Sequence, residues 1–127
     1  MKKNKIFINL SNHPSLNWSN RQIDEATVYG IIIDIPFPKV DPNADEYEIE
    51  KMATDLVAKI KYISESEDAI VTVHIMGEMN LSFSIVNKLL EKNICCVAST
   101  AYRDVEELDD GSKSVKFEFK QFRKYVK

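Results

Sequence analysis

The sequence predicts an α/β fold built on a mostly parallel sheet with helices on both faces and an antiparallel hairpin at one edge. Three observations lead to it. Short β-rich apolar runs alternate with segments of helical periodicity. One run, Ala69 to Met76, is almost continuously apolar, as expected of a strand buried on both faces. Near the C-terminus, Val115, Phe117 and Phe119 instead alternate with Lys116, Glu118 and Lys120, the pattern of a strand with one wet face.

The first strand is read at Ile6 to Leu10, ending in the loop Ser11 to Ser15. Ser19 precedes Gln22 by three residues, as in a capping box, and Trp18 and Ile23 are spaced as a hydrophobic staple. A helix is therefore expected from about Asn20 to Tyr29, stopped by Gly30. Ile31 to Ile35 forms the second strand, and Pro36 and Pro38 end it because proline lacks the amide proton a ladder needs. Asp45 and Glu48 repeat the capping pattern ahead of Ile49, Met52, Ala53, Leu56, Val57, Ile60 and Ile63, which recur at helical spacing.

Ala69 to Met76 is the third strand and the expected centre of the sheet. Leu81, Phe83, Ile85, Val86, Leu89 and Leu90 predict a third helix ending near Lys92 and Asn93. Ile94 to Ala98 is the fourth strand, and its extension turns back through Asp109 to Ser112 into the last strand. Two registers are open for this hairpin. A two-residue turn at Asp110 and Gly111 sets Arg103 opposite Glu118, whereas a three-residue loop sets Val105 opposite Val115. The apolar pair favours the second.

Right-handed crossovers between parallel strands follow from this element order. With strand one between strands two and three, the chain reverses direction across the sheet between strands one and three. Ligands of such sheets bind beyond the carboxyl ends of the strands at that switch point. Here the rim consists of the loops after Asn9, Met76 and Ser99.

A length of 127 residues with 44% hydrophobic content suits one domain spanning residues 1–127. With 17 basic against 20 acidic residues the formal net charge is -3, so no overall basic field draws in long nucleic acid. Cys95 and Cys96 are adjacent in a strand and point to opposite faces, which argues against a disulfide or metal site and for a reducing cytoplasm. The basic start, Met1 to Lys5, precedes only a strand-length apolar run and does not read as a signal peptide. No segment is long and apolar enough for a membrane-spanning helix, and no cofactor or metal is implied.

Asn9, Ser11, Asn12 and His13 bring amides, hydroxyl and imidazole together, a set able to bind a base edge or ribose, with His13 a candidate acid or base. In its plain role the same loop satisfies its own turn. Gly77, Glu78, Met79 and Asn80 open the third helix, where unpaired amides favour an anion and Gly77 permits close backbone approach. The motif is neither a dinucleotide fingerprint nor a P-loop. Glu78 either complements the helix dipole or serves a ribose hydroxyl. Ser99 and Thr100 add hydroxyls, while Arg103 is placed either to clamp phosphate or to pair with Glu118 or Asp104. His74, inside a strand, reads as a hydrogen-bonded core residue.

The segments Met76-Gly77-Glu78-Met79, Val97-Ala98-Ser99-Thr100-Ala101-Tyr102-Arg103-Asp104-Val105-Glu106 and Phe119-Lys120-Gln121-Phe122-Arg123-Lys124-Tyr125 resemble small CRISPR-associated proteins with a CARF-like, Rossmann-like fold. Ile8-Asn9-Leu10-Ser11-Asn12-His13, followed by Gln22, is similar to the start of that group. The resemblance implies a symmetric homodimer binding cyclic oligoadenylate, the second messenger of type III CRISPR immunity, across its two-fold axis. Some members are ring nucleases that cleave the messenger without metal, and others only bind it. Carried onto this chain, it makes His13, Glu78 and Arg103 the catalytic candidates. The ligand-binding candidates are Asn9, Ser11, Asn12, Gly77, Met79, Asn80, Ser99 and Thr100. A sponge that sequesters the messenger is the alternative that keeps the ligand, and a flavodoxin-like regulatory interaction module is the alternative of another class.

Overall fold

Alternation along β1 (Asn4–Ser11) divides the interior into two cores. In the computed structural model, which describes residues 4–127, Ile6, Ile8 and Leu10 join one core and Phe7 joins the other, because successive strand side chains point to opposite faces. Met1, Lys2 and Lys3, the start of the basic stretch, lie outside the described residues. The larger core is covered by α2 (Glu46–Ser66) and α3 (Met79–Glu91), through Ala53, Val57, Ile60, Leu81, Ile85 and Leu89. The smaller lies beneath α1 (Asn20–Tyr29), where Phe7, Ala26, Val97, Phe119 and Phe122 meet.

The remaining strands are β2 (Ile31–Pro36), β3 (Ala69–Met76), β4 (Cys95–Glu107) and β5 (Lys113–Lys124). Their order is β2-β1-β3-β4-β5, with β1 parallel to β2 and β3, β3 parallel to β4, and β4 antiparallel to β5. The expected α/β architecture is thus present, with β3 in the centre and the chain reversing direction between β1 and β3. In register, Asn9 stands beside His74 and Ser11 beside Met76.

Helix boundaries follow from their caps. The Ser19 hydroxyl accepts from the Gln22 amide at 3.2 Å, and the Asp45 carboxylate from the Glu48 amide at 2.9 Å. Gly30 ends α1 at φ +146°, where a Cβ would lie 2.3 Å from the Lys5 carbonyl carbon, so only glycine fits between helix and strand. α3 starts two residues before the first apolar position of its helical pattern, because Glu78, an unusual capping residue, accepts from the Asn80 and Leu81 amides at 2.6 and 3.2 Å. It ends with Asn93 at φ 60°.

Two features add to the sequence reading. A 3-10 turn, Ser15–Asn17, occupies the end of the first loop. Trp18 packs on Phe7 and Phe122, with ring centroids 6.3 and 5.9 Å away, and so belongs to the smaller core.

β4 runs unbroken from the sheet into the hairpin and pairs with β3 only through Cys95, Cys96 and Val97. Beyond that point β4 and β5 form a two-stranded arm. Val105 lies opposite Val115 and Arg103 opposite Phe117, the register of the three-residue loop, with a bulge between Thr100 and Ala101. Cys95 faces the smaller core and Cys96 the larger, and burial pushes the Cys96 thiol up to about 12. No helix of the described residues is long and apolar enough to cross a membrane.

Candidate functional site

The carboxyl ends of β1 and β3 present Asn9 and His74 side by side on the α1 face. Asn9 is 1% exposed, and all of its side-chain hydrogen-bonding groups are used. Its Nδ2 donates to Asp34 Oδ1 at 2.8 Å and to the His13 carbonyl at 2.9 Å. Both partners only accept, so the amide has one orientation. Oδ1 then accepts from the Ser11 hydroxyl and from His74 Nδ1, each at 2.8 Å.

Asp34, at the end of β2, also accepts from the backbone amide and hydroxyl of Ser15, at 3.2 and 2.8 Å. One exposed carboxylate therefore anchors the first loop at both ends. The His13 carbonyl receives Trp18 Nε1 at 3.0 Å as well, which holds the indole over the strand ends.

His74 is 1% exposed and lies within 6.2 Å of the ring centroids of Phe7, Trp18 and Phe122. Burial, with a smaller effect from the charge of His13, lowers its pKa to about 4, so the ring is neutral at physiological pH. With Nδ1 carrying the proton, Nε2 holds a lone pair, and that nitrogen is buried without a hydrogen-bond partner.

The His74 ring forms part of a cavity of about 440 Å³ at the switch point. Trp18 and Gln22 bound it on the α1 side, His13 at the first loop, and Ser99 and Phe117 on the hairpin. Phe117 is exposed and stands directly across from Arg103, so the guanidinium shares its face of the arm. Glu118, a candidate partner for Arg103, faces Tyr102 instead and pairs with Lys120 at 3.6 Å. Among the described residues no group of three or more His, Cys, Asp or Glu converges to hold a metal ion.

The proposed rim thus separates into two places. His13 and Ser99 line the cavity, Asn9 and Ser11 are hydrogen-bonded to its His74 and His13, and Arg103 is not among its lining residues but stands opposite Phe117, which is. Gly77, Glu78, Met79 and Asn80 sit at the start of α3, and both Glu78 oxygens cap that helix. A Cβ on Gly77 would come within 2.5 Å of the Phe37 ring, so the close approach this glycine permits is that of a core aromatic. Thr100 donates to the Gln121 carbonyl at 3.3 Å, and Asn12 is exposed.

Sequence reasoning read Trp18 only as a staple and passed over Asp34, Phe117 and the free nitrogen of His74. One signal was there: Asn9 and His74 each stand two residues before a strand end, Ser11 and Met76, and parallel pairing makes such positions neighbours.

Fold and cavity define an open α/β protein with a ligand-sized recess at its topological switch point. The chain belongs to the family described as Uncharacterized protein MJ1673 family, whose model matches residues 5–123. No curated protein and no solved structure matches it.

Proposed function

We propose that this chain binds cyclic oligoadenylate in the switch-point cavity and cleaves it as a metal-independent ring nuclease of type III CRISPR immunity, acting as a cytoplasmic homodimer. The observation that carries the reading is the cavity itself. It has aromatic walls, Trp18 and Phe117, with His13, Gln22 and Ser99 between them, which is the chemistry a nucleobase and its ribose require. The resemblance of the segments around Met76, Ser99 and Phe122 to that group supports the choice of ligand. A two-fold axis would bring two such cavities around one ring.

In the cleavage step the ribose 2′-oxygen bonds to the adjacent phosphorus and the bond from phosphorus to the 5′-oxygen breaks. The products are a 2′,3′-cyclic phosphate and a 5′-hydroxyl. His13 takes the 2′-proton, water supplies the proton to the leaving oxygen, and Arg103 stabilises the charge on phosphate. A second reading, sequestration without cleavage, is favoured by one observation. The Glu78 carboxylate is already committed to the Asn80 and Leu81 amides.

Purified protein incubated with radiolabelled cyclic tri-, tetra- and hexa-adenylate in EDTA separates these readings. A linear product ending in a cyclic phosphate is the expected result. Intact ligand in a stable complex leaves the sponge, and failure to bind any ring size removes the ligand assignment.

A further inference from the structure

A buried imidazole nitrogen without a partner is costly, because its hydration is lost and not replaced. A phenylalanine or methionine at position 74 would fill the space among Phe7, Trp18 and Phe122 without that cost. Histidine adds two polar atoms at this position, Nδ1, which is bonded to Asn9 Oδ1, and Nε2, whose lone pair has no partner, and their polarity is fixed. Asn9 cannot turn its amide over, because Nδ2 is held by two groups that only accept. His74 Nδ1 must therefore donate to Asn9 Oδ1, and Nε2, on the ring edge away from Asn9, must accept.

Such an atom calls for a neutral donor. A phosphate oxygen offers only lone pairs, and a cation would be buried with no carboxylate on the imidazole to pair with it. General-base chemistry also fits poorly, since the ring is held neutral by burial and its only side-chain partner, the Asn9 carbonyl, is uncharged.

We propose that His74 is a specificity-determining residue whose Nε2 accepts a hydrogen bond from the exocyclic amine of a purine seated in the cavity bounded by Trp18 and Phe117. The site then takes a 6-aminopurine and refuses a 6-oxopurine seated in the same pose, which would set the lone pairs of O6 against that of Nε2. A tautomer change does not relieve the clash, because it would aim the Nδ1 lone pair at Asn9 Oδ1. Nε2 is buried, so the base reaches it only once a side chain lining the cavity moves aside, and Phe117, exposed on the arm, is such a side chain. The inference rests on the functional reading above and adds which edge of the base is read.

The test compares binding of cyclic oligoadenylate with its all-inosine counterpart, whose bases differ only in the 6-substituent and in the proton on N1. Wild-type protein is expected to bind the inosine ring at least about tenfold more weakly, the factor a single unmatched buried polar group produces. His74→Phe should weaken the adenylate complex and bring the two ligands within about twofold of each other. His74→Gln, whose amide can present either a donor or an acceptor, should also lose the discrimination while binding both, and it serves should His74→Phe not fold. Equal binding of both rings by the wild type, or discrimination that survives in a folded His74 variant, overturns the inference and leaves the functional reading standing. No binding of either ring by the wild type removes both.

Discussion

Asn9 Oδ1 accepts from His74 Nδ1 at 2.8 Å, and this one contact between β1 and β3 sets the chemical character of the cavity. It is the inner end of a chain that begins at the Asp34 carboxylate and passes through the Asn9 amide to the imidazole. Nitrogen-15 correlation spectra should show His74 as the Nδ1-protonated neutral tautomer at pH 7. In Asp34→Ala the amide loses an acceptor and Ser15 two contacts, so stability should fall by about 1–3 kcal/mol in urea unfolding. An Nε2-protonated ring in the wild type would refute the assignment.

Acid should destabilise the protein through the same residue. The buried ring resists protonation until about pH 4, whereas in the unfolded chain it takes a proton near its ordinary value of 6.5. The unfolded state thus binds more protons between these values, and stability falls as the pH is lowered through that window. The contribution is complete above the window, on the order of 3 kcal/mol, and has been lost below pH 4. Around the ring, Asn9, Phe7, Trp18 and Phe122 carry no charge, and His13 is the titratable neighbour acting on it. Urea midpoints measured from pH 7 to 4 should therefore drop less steeply in His74→Phe than in the wild type. Parallel curves would show that His74 is not the group involved.

Gly77→Ala discriminates a packing role from a ligand role. Its new methyl would press on the buried Phe37 ring at 2.5 Å, and overpacking of this kind costs about 1–3 kcal/mol. Phe37→Leu should recover part of that loss in the double variant, a coupling visible in a double-mutant cycle. Unchanged stability accompanied by lost ligand binding would return Gly77 to the binding site.

These cases mark where sequence reading succeeded and where it stopped. The caps at Ser19 and Asp45 and the apolar pair Val105 and Val115 are local signals, and each lies where the sequence placed it, while β2 runs one residue past the expected stop, through Pro36. Gly77 drew a ligand reading because its real neighbour, Phe37, is distant in sequence. Glu78 did so because glutamate seldom caps a helix with its own carboxylate. His74 was read as a core residue, which its burial matches. Its free nitrogen depends on the register of β1 against β3 and on the orientation of one amide, and neither can be read along a single chain.

The arm formed by β4 and β5 should be the least protected part of the sheet in hydrogen exchange. Past Val97 it has no third strand, and a two-stranded ribbon is marginal by itself. Amides of residues 101–107 and 113–118 should exchange well before those of Phe7 to Leu10 or Val71 to Ile75. Val105, Val115 and Phe117 leave apolar surface on one face of the arm. Covering that face with a second copy should raise arm protection as protein concentration increases. Strong protection independent of concentration would mean that the arm is stabilised within one chain.

Trp18, the one tryptophan of the sequence, reports directly on the cavity. Its indole is half-buried, stands edge-on to His74 with centroids 5.5 Å apart, and is fixed by its hydrogen bond to the His13 carbonyl. A base entering the cavity must change what lies against this ring. Titration with cyclic oligoadenylate should therefore alter Trp18 emission to saturation, with a midpoint equal to that from filter binding. Trp18→Ala should weaken the complex by a factor corresponding to about 1–3 kcal/mol, the usual worth of one base stacked on an aromatic side chain. Trp18→Phe keeps an aromatic wall but cannot donate to the His13 carbonyl, so it should retain more affinity than Trp18→Ala. Ligand that binds while Trp18 emission stays constant, or that binds Trp18→Ala with wild-type affinity, would move the site away from the switch point.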